Sequence, residues 1–184
     1  MLDEIKELCA QCQNCCLGET RNNIVFGIGN PKAKVMFIGE GPGENENLEG
    51  EPFVGEAGKL LDKILEAVSI KREDVYITNI IKCRPPKNRT PKEDEVEACR
   101  EFVEAEIALV NPEIIVALGG TASQFFLGKE GKITKVRGHW FKEQGIDLIC
   151  TFHPAALLRD PGKKRPVWED FKKIQERLEE IRKR

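Results

Sequence analysis

No stretch of the chain approaches the roughly 18 uninterrupted apolar residues that a membrane-spanning helix needs, so no segment is expected to cross a bilayer. The opening residues MLDEIKEL are acidic and amphipathic. An export signal would be basic and then apolar, so a cytoplasmic protein is expected. Charge of one sign is also missing: 29 Lys and Arg against 31 Asp and Glu leave a net −2. That balance argues against gripping nucleic acid through bulk positive charge and leaves only local basic patches for the purpose. Internal repeats and low-complexity tracts are absent. The proline-rich stretch Pro85–Pro91 is too short to act as an interdomain linker. With 184 residues, 40% of them hydrophobic, one compact domain is expected.

Cysteine, in contrast, is plentiful: the chain has seven. A reducing cytosol directs thiols towards metal or redox chemistry rather than disulfides. Cys12 and Cys15 form a CxxC pair, while Cys83 and Cys99 lie far downstream with fifteen residues between them. Four thiolates from these positions suit a structural zinc as readily as an iron–sulfur cluster. Cys9, Cys12 and Cys15 also make a CxxCxxC run, with Cys16 beside Cys15. Spacing therefore leaves two ligand sets open. Cys150, inside an apolar run, reads as a small buried hydrophobe.

Four short apolar runs read as buried strands: Lys34–Gly39, Val75–Ile80, Ile114–Gly120 and Leu148–His153. Between them, Leu60, Leu61, Ile64, Leu65 and Val68 recur at helical spacing, as do Val96, Cys99, Val103, Ile107 and Val110. Alternating strand and helix predicts an α/β fold of three layers, α/β/α, around a mainly parallel four-stranded sheet. A β-excursion is expected over Lys132–Glu143. A structural C-terminal helix should carry Trp168, Phe171, Ile174, Leu178 and Ile181 on one face. Ligands of such sheets bind outside the carboxyl ends of the strands. Glu40 and Gly41, Asn79 and His153 all fall there, so side chains distant in sequence can converge on one crevice.

The segments GEGPGENENLEGEPFVGEAGKLL, VYITNIIKCRPPKNRTP, LGGTA, ITKVRG and TFHPAALLR together resemble the iron–sulfur uracil-DNA glycosylases of family 4. The resemblance runs from Cys12 to Trp168. Shorter motifs point nowhere else: GEGPG lacks the GK[ST] of a P-loop and is not GxGxxG, and the zinc-deaminase signature is absent. The resemblance implies Cys12, Cys15, Cys83 and Cys99 as ligands of a [4Fe–4S] cluster, leaving Cys9 and Cys16 as spare thiols. It implies a structural cluster, since base excision needs no redox step.

What the resemblance implies for the site has a chemical rationale. An enzyme acting on a base must take it out of the stack and read it in a tight pocket. Phe53 offers a ring to sandwich uracil, and the Asn79 amide offers donor and acceptor to its O4 and N3. Cytosine reverses that pattern. Cleaving the N-glycosidic bond places negative charge on uracil O2 and positive charge on the sugar. His153, as a neutral imidazole, is the donor expected at O2. Glu40 is expected to face the sugar and orient water or stabilise the cationic state. Asn88 is expected to position the attacking water, Gly41 and Gly43 to let the backbone approach the base, and Glu46 to contact uracil or shape the pocket. Relatives commonly carry an acid at the position of Asn47, which is left outside the catalytic set.

The implied partner is uracil-containing DNA, single- or double-stranded, with no membrane partner and a monomeric enzyme. Lys82, Arg84, Lys87, Arg89, Arg137, Arg159, Lys163, Lys164 and Arg165 are candidates for phosphate contacts. Two other readings compete: a non-turnover or covalent uracil-DNA binding protein on the same fold, and a zinc-stabilised nucleotide-binding module.

Overall fold

The computed structural model describes residues 1–184. One sheet of six strands forms the centre, in the order β1-β3-β2-β4-β6-β5. In chain order the strands are β1 (Ile28–Gly29), β2 (Val35–Gly39), β3 (Tyr76–Asn79), β4 (Ile114–Leu118), β5 (Trp140–Glu143) and β6 (Ile146–Thr151). The helices are α1 (Leu2–Ala10), α2 (Glu44–Glu49), α3 (Glu56–Ala67), α4 (Glu93–Val110), α5 (Gly120–Leu127), α6 (Ile133–Val136), α7 (Pro154–Arg159) and α8 (Lys164–Arg182).

The four apolar runs become β2, β3, β4 and β6, and each is parallel to its neighbours in that group. Their largely apolar character follows from burial on both faces. Phe37, Ile77, Val116 and Ile149 point into one core with Leu61 and Leu65 of α3 and Phe171 and Ile174 of α8. The alternate residues Met36, Ile38, Ile115 and Leu148 point into the other, with Val103 of α4, Ala122 of α5 and Val136 of α6. The three layers expected from the sequence are present.

The sheet is wider than expected. β1 pairs antiparallel with β3, and β5 pairs antiparallel with β6, adding an edge strand on each side. β5 and β6 are joined by Gln144 and Gly145, whose φ angles of 48° and 84° make the two-residue turn that suits strand twist. The expected excursion over Lys132–Glu143 therefore divides into one turn of helix, α6, and the strand β5. On α8 the inward stripe is Val167, Phe171, Ile174, Leu178 and Ile181, a spacing of four, three, four and three. Trp168 lies one position round from that stripe and is 43% exposed, so it leaves the expected face. No helix is long and apolar enough to cross a membrane.

Candidate active site and cysteine cavity

The carboxyl ends of the parallel strands meet at one edge of the sheet. Gly39 pairs with Asn79 across β2 and β3, and the ladder continues with Ile80 N–H donating to the Gly39 carbonyl at 2.8 Å and Ile81 N–H to that of Glu40 at 3.1 Å. On the other side, Gly119 N–H donates to Thr151 C=O at 2.8 Å. This register places Glu40, Asn79, Thr121 and His153 on segments leaving the same edge.

Gly39 lies where Asn79 and Phe53 meet. A methyl group on its Cα would stand 2.6 Å from Asn79 Oδ1 and 2.7 Å from Phe53 Cζ, so any side chain would intrude between the two. Asn79 is buried, and its Oδ1 has no hydrogen-bond partner. A buried amide oxygen left unpaired costs free energy unless a ligand donates to it. Sequence reasoning placed Gly41 and Gly43 beside the base. Here Gly41 packs against Ile81, and Gly43 packs against the Glu46 carboxylate.

Phe53 is held in a left-handed conformation, φ 54°, which a bulky residue adopts only under constraint. Arg72 supplies that constraint: Nη1 donates to Phe53 C=O at 2.9 Å, Nη2 donates to Pro52 C=O at 2.8 Å, and Nη1 also pairs with Asp62 at 2.7 Å. Gly58 presses on the same carbonyl with no room for a side chain. The Phe53 ring then stacks on His153, centroids 5.5 Å apart.

His153 caps α7: its Nδ1 accepts from Ala155 N–H at 3.0 Å. An accepting Nδ1 leaves the proton on Nε2, so a neutral ring presents a donor from that atom. Burial, with the Arg159 charge adding to it, lowers the imidazole pKa from 6.5 to about 4. The ring is therefore neutral at physiological pH.

Glu40 is half-buried, and its Oε2 accepts from Thr121 Oγ1 at 2.7 Å. Thr121, in the first turn of α5, was not singled out by sequence reasoning. Only its place in LGGTA, just past a strand end, hinted at a role. Glu46 braces the backbone around it. Its Oε1 accepts from Gly43 N–H at 3.0 Å, and its Oε2 from Val54 and Gly55 N–H at 3.0 and 2.6 Å. One carboxylate thus ties the GEGPG loop to the loop that carries Phe53. Asn47 is buried, and its Oδ1 accepts from Asn22 N–H at 2.9 Å, a structural use of the amide. Asn88 is exposed, with φ 57°. Its Oδ1 accepts from Arg84 Nε at 2.7 Å, and its Nδ2 lies on the side of Gly43.

Five cysteines, Cys9, Cys12, Cys15, Cys83 and Cys99, line a single cavity formed by the end of α1 and the segment after it, the loop after β3 and helix α4. No disulfide joins any of the seven cysteines. Cys16 is exposed and Cys150 is buried in β6, both away from the cavity lining. Cys9, expected to be a spare thiol, is buried at the cavity wall. Arg21 closes one side, donating to Cys83 Sγ at 3.4 Å and to Cys12 C=O at 2.8 Å. A cation against sulfur fits a site for an anionic thiolate assembly. Arg21 was also missed by sequence reasoning, because a lone arginine in a loop carries no distinguishing pattern.

Residues 26–175 match the sequence model of the uracil DNA glycosylase superfamily. A type-4 uracil-DNA glycosylase of Sulfurisphaera tokodaii is 47% identical over 95% of this chain and 84% of its own length. A type-4 uracil-DNA glycosylase of Thermotoga maritima is 48% identical over 94% of this chain and 92% of its own. The chain belongs to the type-4 uracil-DNA glycosylases.

Some basic positions of this type-4 glycosylase differ from the sequence reading. Lys82 is 0% exposed and pairs with buried Glu106, so it cannot meet a phosphate. Arg137 is fixed on Asp170 by two hydrogen bonds at 2.6 and 3.0 Å, and Arg89 on buried Glu95. Lys87, Arg159, Lys164 and Arg165 remain exposed, and Arg84 and Lys163 are half-buried.

Proposed function

We propose that the protein excises uracil from DNA, leaving free uracil and an abasic site. The observation that carries this reading is the unpaired, buried Asn79 Oδ1 beside Phe53 at the strand edge, with the Nε2–H tautomer of His153 stacked on the same ring. Uracil N3–H is a donor for that oxygen, and uracil O4 an acceptor for the Asn79 amide nitrogen. Cytosine offers no N3 donor, and leaves the oxygen unpaired at a cost of roughly 1–3 kcal/mol.

In the reaction the C1′–N1 bond breaks with its electron pair passing to uracil N1 and O2, while water oxygen bonds to C1′ and releases a proton. His153 Nε2–H donates to O2 and stabilises the departing anion. The Glu40 carboxylate, oriented by Thr121, stands for the cationic sugar and the attacking water, and Asn88 assists in placing that water. Glu46 and Arg72 hold the loops on which the contacts depend.

Cys12, Cys15, Cys83 and Cys99 are the residues that would hold a [4Fe–4S] cluster. Support comes from their shared cavity and from the Arg21 cation against Cys83. When bound, the group supplies iron–thiolate bonds that cross-link the N-terminal segment to the loop after β3 and to α4. The remaining assignments are a single domain, a monomer acting in the cytoplasm, and single- or double-stranded substrate.

The test is release of uracil from an oligonucleotide with one deoxyuridine, followed by cleavage at the abasic site. Turnover is expected in wild type and its near-complete loss in Asn79→Ala and His153→Ala, both with iron retained. Purified, iron-loaded protein that binds the oligonucleotide and releases no uracil would exclude the enzyme.

A further inference from the structure

Lys82 is a fully buried cation between the two centres described above. Its ammonium donates to Asn79 C=O at 2.7 Å and to Thr78 Oγ1 at 2.6 Å, and forms an ion pair with Glu106 Oε2. Those three acceptors use all three of its N–H groups. Glu106 is saturated in turn: Oε1 accepts from Tyr76 OH at 3.0 Å and from Gly27 N–H at 2.8 Å, and the Thr78 hydroxyl lies 3.0 Å from both of its oxygens. The network therefore joins the end of β3, helix α4 and the segment before β1. On its other side Lys82 lines the cysteine cavity.

The sequence makes this a paired connection. Lys82 adjoins Cys83, and Glu106 lies seven residues, two helical turns, beyond Cys99 on the same side of α4. The Lys82–Glu106 pair thus links the loop that carries Cys83 to the helix that carries Cys99. A fully satisfied buried network of this kind holds one arrangement, because any displacement leaves charge unpaired in a low dielectric.

We propose that Lys82 is a positioning residue that transmits the order of the cysteine cavity to Asn79, so that filling the cavity sets the affinity of the pocket for uracil. The inference rests on the reading of Asn79 as the base-recognition residue. Occupation of the cavity fixes the loop at Cys83; Lys82, the next residue, fixes the Asn79 peptide; and the side chain of Asn79 keeps its angle to the base.

The test is a double-mutant cycle read by binding of free uracil. Wild type and a Lys82→Met/Glu106→Gln variant, which removes both charges together and leaves neither buried alone, are compared with iron bound and after iron extrusion. Iron removal is expected to weaken uracil binding at least tenfold in wild type and less than twofold in the double variant, whose affinity is already low. Equal losses in both backgrounds, or no loss in wild type, would overturn the link. A double variant that purifies without iron occupies the iron-free corner of the cycle. There, affinity equal to that of iron-free wild type supports the proposal, and a clearly lower affinity, showing that the losses add, overturns it. Asn79→Ala separates the two readings: wild-type uracil affinity in that variant removes the role of Asn79, whereas its loss beside additive effects at Lys82 removes only the link.

Discussion

Phe53 and His153 lie face to face, ring centroids 5.5 Å apart and planes inclined by 24°. The ring proposed to stack on the base and the imidazole proposed to donate to it are therefore one packed unit. Phe53→Ala should weaken uracil-DNA binding by the value of a base–aromatic stack, about 1–3 kcal/mol. It should also lower kcat, because His153 loses its neighbour. Steady-state kinetics check both, and a rise in KM with kcat unchanged would show that the two rings act independently.

The pH dependence follows from His153, whose pKa is lowered from 6.5 to about 4 by burial and by the Arg159 charge. In the unfolded chain the imidazole binds a proton between those values, and in the folded protein it does not. Its contribution to stability is therefore complete above about pH 6.5 and is lost as pH falls towards 4. His153→Gln should flatten that part of the stability profile in chemical denaturation. An NMR titration should find this ring neutral, with the proton on Nε2, at pH 6. A midpoint near 6.5 would contradict the assignment.

Thr121→Val removes a hydrogen bond to a carboxylate at nearly constant volume. A bond to a charged acceptor contributes roughly 1.5–3 kcal/mol, so kcat should fall about tenfold or more if the Glu40 orientation matters for the chemical step. Thr121→Ser should restore most of it. Single-turnover excision rates distinguish this from an effect on product release.

Glu46→Ala strips one acceptor from three backbone N–H groups, those of Gly43, Val54 and Gly55. Destabilisation of about 3 kcal/mol is expected, with a larger KM as the Phe53 loop loosens. Urea unfolding and steady-state kinetics measure the two effects, and Glu46→Gln should recover part of each.

Salt dependence sorts the basic residues. Lys87→Ala and Arg159→Ala should each lower the slope of log affinity against log salt by about 0.9 for one lost phosphate contact, whereas Arg137→Ala, whose guanidinium is held by Asp170, should leave it unchanged. Fluorescence anisotropy over a salt series is sufficient.

The central strands were legible because burial on both faces makes each largely apolar, and glycine closes two of them, at Gly39 and after Leu118. β1 was not, since two residues carry no period, and β5 was only half legible beside the turn of helix at α6. Strand ends placed Glu40, Asn79 and His153 at one edge from sequence alone. The contact between Glu40 and Thr121 was hidden because it joins residues 81 apart in sequence. Lys82 illustrates the deeper limit. In sequence it is one of several charges in a basic segment, and only the fold sets it opposite Glu106, 24 residues away, rather than against solvent.

The unpaired oxygen of Asn79 also has a meaning for the resting protein. A molecule selected for stability alone would place an apolar side chain at that buried position, or supply a donor to the amide. Either change would strengthen the fold and remove the amide that we propose reads the base. On the proposed reading of Asn79, selection for uracil opposes drift towards a sturdier core at this one residue.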